Sequence, residues 1–311
     1  MNSFILKIGR ALNAVVRRSN WYSNIVFEDC NKFWNHKEFN LDVINLGSTS
    51  GVHSFNYNGL DIKAANFALS HNQLLGDEAV LMNYCSFLNP GKSTVIISLC
   101  PFSSLAGSYD YFDDRYYSIL HSSSIPYFSK LHYNGVMHVK NRPIKYFPCY
   151  QVGIEILYWI RRLLKIKSNC KLTESQLEED ANNWIKGWKH EFSITSFDMP
   201  LSMINEDAIN DSIEILNRII AFCENRNIEL VLTIPPVYHT LARKFLSSFR
   251  EKVLDQMING LKRDCYTFIN YMEDEHFLND RNLFKNSFLL NETGAKYFTQ
   301  RVLTDIKLIK K

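Results

Sequence analysis

The chain has 311 residues, 46% of them hydrophobic and 14% aromatic, which is enough to bury a sizeable core and excludes a disordered chain. Thirty-five Lys and Arg against thirty-two Asp and Glu leave a net charge of +3, a balance that makes no case for nucleic acid as a partner. The length exceeds the usual single domain but suits one large α/β domain carrying an insertion.

Residues 1–18 place Phe4, Ile8, Leu12 and Val15 on one helical face, with Lys7, Arg10, Arg17 and Arg18 elsewhere. The charges at 7 and 10 interrupt what would be the apolar core of a signal peptide, and no clear cleavage site follows. The favoured expectation is a basic amphipathic helix packed on its own domain. The alternative is a helix resting on a membrane surface. No stretch reaches the length of a spanning helix. Residues 1–40 read as this helix and a lead-in, and 41–311 as the main domain with an insertion at about 102–192.

Leu41-Asp42-Val43-Ile44-Asn45-Leu46 is a short run containing β-branched residues and stopped by Gly47, the pattern of a buried parallel strand. Ser48, Thr49 and Ser50 follow, at the carboxyl end of that strand, where open α/β sheets place their chemistry. Small polar residues also serve any strand-to-helix loop, so the turn alone does not establish a site. Asn66–Ser70 reads as a second strand. Leu74, Leu81, Cys85 and Leu88 form a helical stripe ended by Asn89-Pro90-Gly91, and Thr94–Leu99 is a further strand. Strand, helix and strand in this order imply a right-handed crossover and a parallel sheet.

Residues 102–150 interleave Tyr, Ser, His and charges. Ring faces and carboxylates of this kind suit carbohydrate recognition, and Asp113, Asp114, Arg115 and Tyr116 are the strongest candidates. An irregular subdomain with Tyr as filler is the plainer alternative. Residues 151–192 read as helical, with Thr173 and Gln176 at capping-box spacing. Trp184 and Trp188, one turn apart, are expected to enter the main core rather than form a cleft wall.

The α/β rhythm then returns. Ile209, Ile213, Leu216, Ile220 and Cys223 make an amphipathic helix, Ile228–Ile234 a strand stopped by Pro235-Pro236, and Leu241 to Leu261 another helix. Thr267–Asn270 is the last strand, and Phe298, Val302 and Ile306 lie on a closing helix. Seven scattered cysteines without a Cys-x-x-Cys pair suit reduced thiols in a cytoplasm. Of the nine histidines, His190 adjoins Glu191 and His276 follows Glu273 by three, with no second pair to match. No metal site and no cofactor is expected.

Near the end stands Asn286-Ser287-Phe288-Leu289-Leu290-Asn291-Glu292-Thr293-Gly294-Ala295. Together with Leu41–Gly51, this resembles the SGNH/GDSL hydrolase superfamily, above all its members from bacterial surface-polysaccharide loci, over roughly residues 40–308. The resemblance implies a flavodoxin-like three-layer α/β/α fold of SGNH type, with a central parallel sheet of about five strands, Leu41–Leu46 near its middle and a mostly helical insertion. The insertion is expected to cap the Gly47 turn. The family's nucleophilic serine falls on Thr49, its aspartate on Asn286 and its histidine on Leu289. Its oxyanion asparagine has no counterpart in Leu99–Ser104, whereas Leu290, Asn291, Gly294 and Ala295 match.

Leucine can neither accept nor donate a proton, so catalysis through Thr49 needs another base, and His71, His239 and His276 are the candidates. The expected function is that of a catalytically degenerate, saccharide-binding or partner-binding protein of surface-polysaccharide biosynthesis, with Ser48, Ser50, Asp113, Asp114, Arg115 and Asn291 as ligand contacts. An active carbohydrate O-acyl esterase or acyltransferase using Thr49 with a replacement base is the alternative. A third is an interaction protein at the membrane face of a polysaccharide assembly. The expected location is the cytoplasm, with loose attachment to the inner membrane surface.

Overall fold

The computed structural model describes residues 3–18, 22, 27–106, 114–124, 152, 153, 156 and 172–310. The chain forms two units, one of Met1–His36 with Asp110–Lys171 and one of Lys37–Tyr109 with Leu172–Lys311. The N-terminal lead-in thus groups with the middle of the expected insertion, while the end of that insertion, from Leu172, belongs to the α/β unit.

In the smaller unit, α1 spans Ser3–Arg17, a helical turn spans Asn31–Trp34, and 3₁₀ turns span Asp114–Ser118 and Ser122–Ser124. The indole Nε1 of Trp34 donates to the carbonyl of Ser118 at 3.1 Å, and the Ser118 hydroxyl lies 3.8 Å from the buried Cys30 sulfur. Contrary to the favoured expectation, the α1 stripe is not packed away: Ile8, Leu12 and Val15 are exposed.

In the larger unit, β1 (Val43–Gly47), β2 (Ala64–Asn66), β3 (Thr94–Ser98), β4 (Glu229–Ile234) and β5 (Thr267–Asn270) form a five-stranded sheet in the order β2-β1-β3-β4-β5. Every pairing is parallel. This is the flavodoxin-like order, whose direction of winding reverses between β1 and β3, so a crevice opens at the carboxyl ends of those two strands. β1 is paired on both sides, though β3 and not β1 is the central strand. All five residues of β1 and of β3 are buried, which is why apolar residues dominate both.

Alternation along the strands gives the sheet two packed faces. Val43, Ile96 and Val231 face a cluster with Phe55, Phe298, Val302 and Leu303, contributed by the residue that follows α2 (Thr49–Ser54) and by the C-terminal helix. The other face is covered by α3 (Leu74–Tyr84), which touches β1 and packs on a 22-residue helix over Met203–Glu224. The remaining long helices are α4 (Glu174–Glu191), α5 (the Met203–Glu224 helix) and α6 (Glu292–Asp305). Helix, sheet and helix make the three layers of a flavodoxin-like α/β/α fold.

Two expected elements differ. The second strand ends at Asn66 instead of beginning there; Phe67, Ala68 and Leu69 are buried in the loop that follows, and burial gave them the look of a strand. The expected helix from Leu241 to Leu261 is broken into His239–Ala242 and a stretch from Ser247 to Asn259 that is π-helical over Glu251–Asp255. Its apolar residues recur every fourth position, wider than the α-helical period, and the wider π turn keeps Phe249, Val253 and Met257 fully buried on one side.

Candidate functional site

β1 delivers the chain to the crevice at Gly47, whose φ of +127° is open to glycine and strained for other residues. A Cβ there would also lie 2.5 Å from the Ser98 carbonyl oxygen, so the turn can hug the end of β3 only without a side chain. Beneath it, the buried carboxyl of Asp77 on α3 accepts from the Gly47 amide at 2.8 Å and from Asn72 Nδ2 at 2.6 Å. Burial pushes the Asp77 pKa up from 3.8 to about 8, against the lowering effect of the Gly47 bond. Asn72 also reaches the Gly47 carbonyl at 3.4 Å, closing a polar clamp around the turn.

Ser48 then caps α2 by conformation, without a side-chain bond, and Thr49 opens the helix. Ser48 and Thr49 are half-buried and Ser50 is buried. The Thr49 Oγ1 accepts from the backbone N–H of His71 at 3.2 Å, and that is its hydrogen-bond partner among the described residues. His71 sits at φ +57° with its residue exposed. The polar groups just below are under-satisfied: Ser50 Oγ, Ser98 Oγ, Thr233 Oγ1 and Asn45 Oδ1 are buried without a protein partner among the described residues. Gly47, Ser98 and Thr233 are successive register partners, so the two hydroxyls share one face at the strand ends.

The second segment is built as a tight turn. Asn286 Oδ1 accepts from the amides of Phe288 at 3.0 Å and Leu289 at 2.7 Å, an Asx-type closure. Ser287 is anchored to α4, its amide donating to Asp180 Oδ2 at 3.0 Å and its hydroxyl to the same oxygen. Leu289 is buried. Asn291, expected among the ligand contacts, is used by the turn instead: its Oδ1 caps α6 through Gly294 N at 3.0 Å, and its Nδ2 donates to the carbonyls of Asn282 and Phe284. A Cβ on Gly294 would lie 2.0 Å from the Leu283 carbonyl oxygen, so the first turn of α6 rests directly on backbone.

α4 lies across the loops at the carboxyl edge of β3 and β4. Its capping box forms as expected, with Gln176 N donating to Thr173 Oγ1 at 3.3 Å and Thr173 N to Gln176 Oε1 at 2.8 Å. Trp184 and Trp188 enter an aromatic cluster with Phe288, and Trp188 also meets Phe102 and Phe245, which places both tryptophans in packing. At the start of α4, Glu174 receives the Tyr238 hydroxyl at 3.0 Å and pairs with His239 Nε2 at 2.9 Å. His276 pairs with Asp274 at 2.8 Å and is largely exposed. Neither His239 nor His276 is hydrogen-bonded to Thr49. In Leu99–Ser104, where no asparagine was found, Cys100 N donates to Ser103 Oγ at 2.8 Å, and burial raises the pKa of the Cys100 thiol.

Asp113 and the side chains of Asp114 and Arg115 lie outside the described residues, as does most of the tyrosine-rich stretch. Asp77, Asn72, Glu174 and Asp180 escaped the sequence reading. The available signal for the first was two successive acids, Asp77 and Glu78, inside an otherwise apolar helix.

No family model matches the chain, and no curated protein matches it. A solved structure from Streptococcus pneumonia, provisionally assigned as a platelet activating factor, aligns over 98% of this chain and 99% of its own at 9% identity and a TM-score of 0.39. A likeness at that level carries no argument about fold or function.

Proposed function

We propose that the chain is a catalytically degenerate SGNH/GDSL-like protein that holds a saccharide, a precursor of a bacterial surface polysaccharide, at the carboxyl ends of β1 and β3 without cleaving it. The observation that carries this reading is the bonding of Thr49: its hydroxyl meets a backbone N–H and no side-chain base. Leu289 offers no lone pair, and Asn286 spends its oxygen on two amides. Ser48 and Thr49, half-buried at the turn, supply donors and acceptors of the kind a sugar requires. Among the described residues, Cys85, Cys100, Cys223 and Cys265 are free thiols, which supports a reducing, cytoplasmic setting.

The test joins two measurements. Hydrolysis of activated acetyl esters by the purified chain is expected at background, with weak turnover appearing only in the triple variant Thr49→Ser, Asn286→Asp, Leu289→His, because triad members act as a unit. Ligand-observed NMR with neutral and acidic mono- and disaccharides is expected to show binding that Thr49→Val weakens. The His239–Glu174 pair favours a second reading, an active O-acyl esterase with His239 as base. Ester turnover by the unmodified chain, lost in both Thr49→Ala and His239→Asn, would establish that reading and overturn the first.

A further inference from the structure

α1 has a feature that the Thr49 site does not use. Ile8, Leu12 and Val15 stand at i, i+4 and i+7, so they line one side of the helix, and they are 45%, 53% and 69% exposed. Lys7, Arg10, Arg17 and Arg18 are exposed too; the helical period sets Arg10 and Arg17 opposite the stripe and Lys7 on its flank, and Arg18 follows the last residue of the helix. The first acidic residue of the whole chain is Glu28, so the leading 27 positions carry four cationic side chains and no carboxylate, in a protein whose charges otherwise nearly cancel.

We propose that α1 is an in-plane anchor for anionic bilayers: Ile8, Leu12 and Val15 enter the acyl boundary while Lys7, Arg10 and Arg18 meet lipid phosphates. Its 15 residues are too few to span the hydrocarbon core, and no helix among the described residues is long and apolar enough to do so. A short helix with an apolar stripe and a strongly basic polar face is the kind that lies in the interface plane. Charge complementarity selects the occupant. An anionic lipid surface accepts any such stripe and strengthens binding by about fivefold for each nearby Lys or Arg. The anchor stands whether or not the Thr49 site binds a saccharide.

The experiment is co-sedimentation of the full chain with vesicles of phosphatidylcholine alone and of phosphatidylcholine with phosphatidylglycerol at three to one, in low and high salt. Binding is expected to the mixed vesicles only, and to fall in high salt. Lys7→Gln with Arg10→Gln should weaken it by about 25-fold, from two losses of about fivefold. Ile8→Ser with Leu12→Ser should abolish it. These side chains are exposed, so circular dichroism and thermal melting of each variant should match the parent, which separates loss of binding from loss of fold. Equal binding to neutral vesicles, no binding to either, or unchanged binding by both variants would overturn the proposal. So would a concentration-dependent dimer in sedimentation velocity that disappears in the Ile8/Leu12 variant, because the stripe would then be covered by a second copy.

Discussion

Asp77 carries the sharpest consequence of any single residue. Its carboxyl lies under the Gly47 turn at 3% exposure, and burial raises its pKa from 3.8 to about 8. Below the lower value the group is protonated in folded and unfolded chains alike. Between the two values the unfolded chain has released a proton that the folded chain keeps, so stability falls as pH rises, by up to about 1.4 kcal/mol per pH unit. Above pH 8 both states are ionised and the slope vanishes. Asp77→Asn keeps an oxygen that can accept from Gly47 N and Asn72 while removing the titration. The expected result is a flatter dependence of the urea midpoint on pH between 5 and 8.5, with the variant more stable than the parent at the alkaline end. Parallel curves for the two proteins would show that another group controls the slope.

Asn66 does comparable work for an element. Its Nδ2 lies within hydrogen-bond distance of the carbonyls of Gly51, Val52 and Phe55 at 3.1, 3.2 and 3.1 Å, so the last residue of β2 satisfies the end of α2. Its Oδ1 accepts from Asn45 Nδ2 at 3.0 Å, tying the same helix to β1. Asn66→Ala strips these bonds from a half-buried position and is expected to destabilise the protein by about 2–3 kcal/mol. Hydrogen exchange should rise first in residues 49–54. A uniform rise across the sheet, with α2 no faster than the rest, would argue against this local role. The sequence concealed this role because Asn66 looked like the start of a strand, and the buried loop behind it completed the pattern. β1, β3 and β4 were legible for the opposite reason: strands covered on both faces are apolar at most positions.

For the molecule as a whole, the parallel direction of the strands followed from the strand-helix-strand rhythm, and the hydroxyl turn at the end of β1 was visible because Gly47 stops an apolar run. The supports of that turn were not legible. Asp77 and Asn72 come from α3 and the loop before it, and Asp180 reaches Ser287 from 107 positions away. Such partners share no local spacing, so only the fold brings them together. The same holds for His239, which a strand end placed near the crevice but which Glu174 holds from 65 positions upstream.

The strand order also governs how the chain can reach its fold. β3 is complete at Ser98, yet its second neighbour, β4, begins 135 residues beyond Thr94, after the smaller unit's segment and two long helices have been made. At synthesis rates of about 5–20 residues per second, roughly 7–27 s separate the two strands as they emerge. Throughout that interval one edge of an apolar strand, Thr-Val-Ile-Ile-Ser, is open to any other extended segment. A chain ending at residue 106 is therefore expected to pellet when translated alone, and to stay in solution when residues 172–310 are supplied in trans. Equal solubility with and without them would mean that β1 to β3 protect themselves. If they do not, the centre of the sheet is a nascent-chain hazard, and this protein depends on whatever occupies that edge until Glu229 arrives.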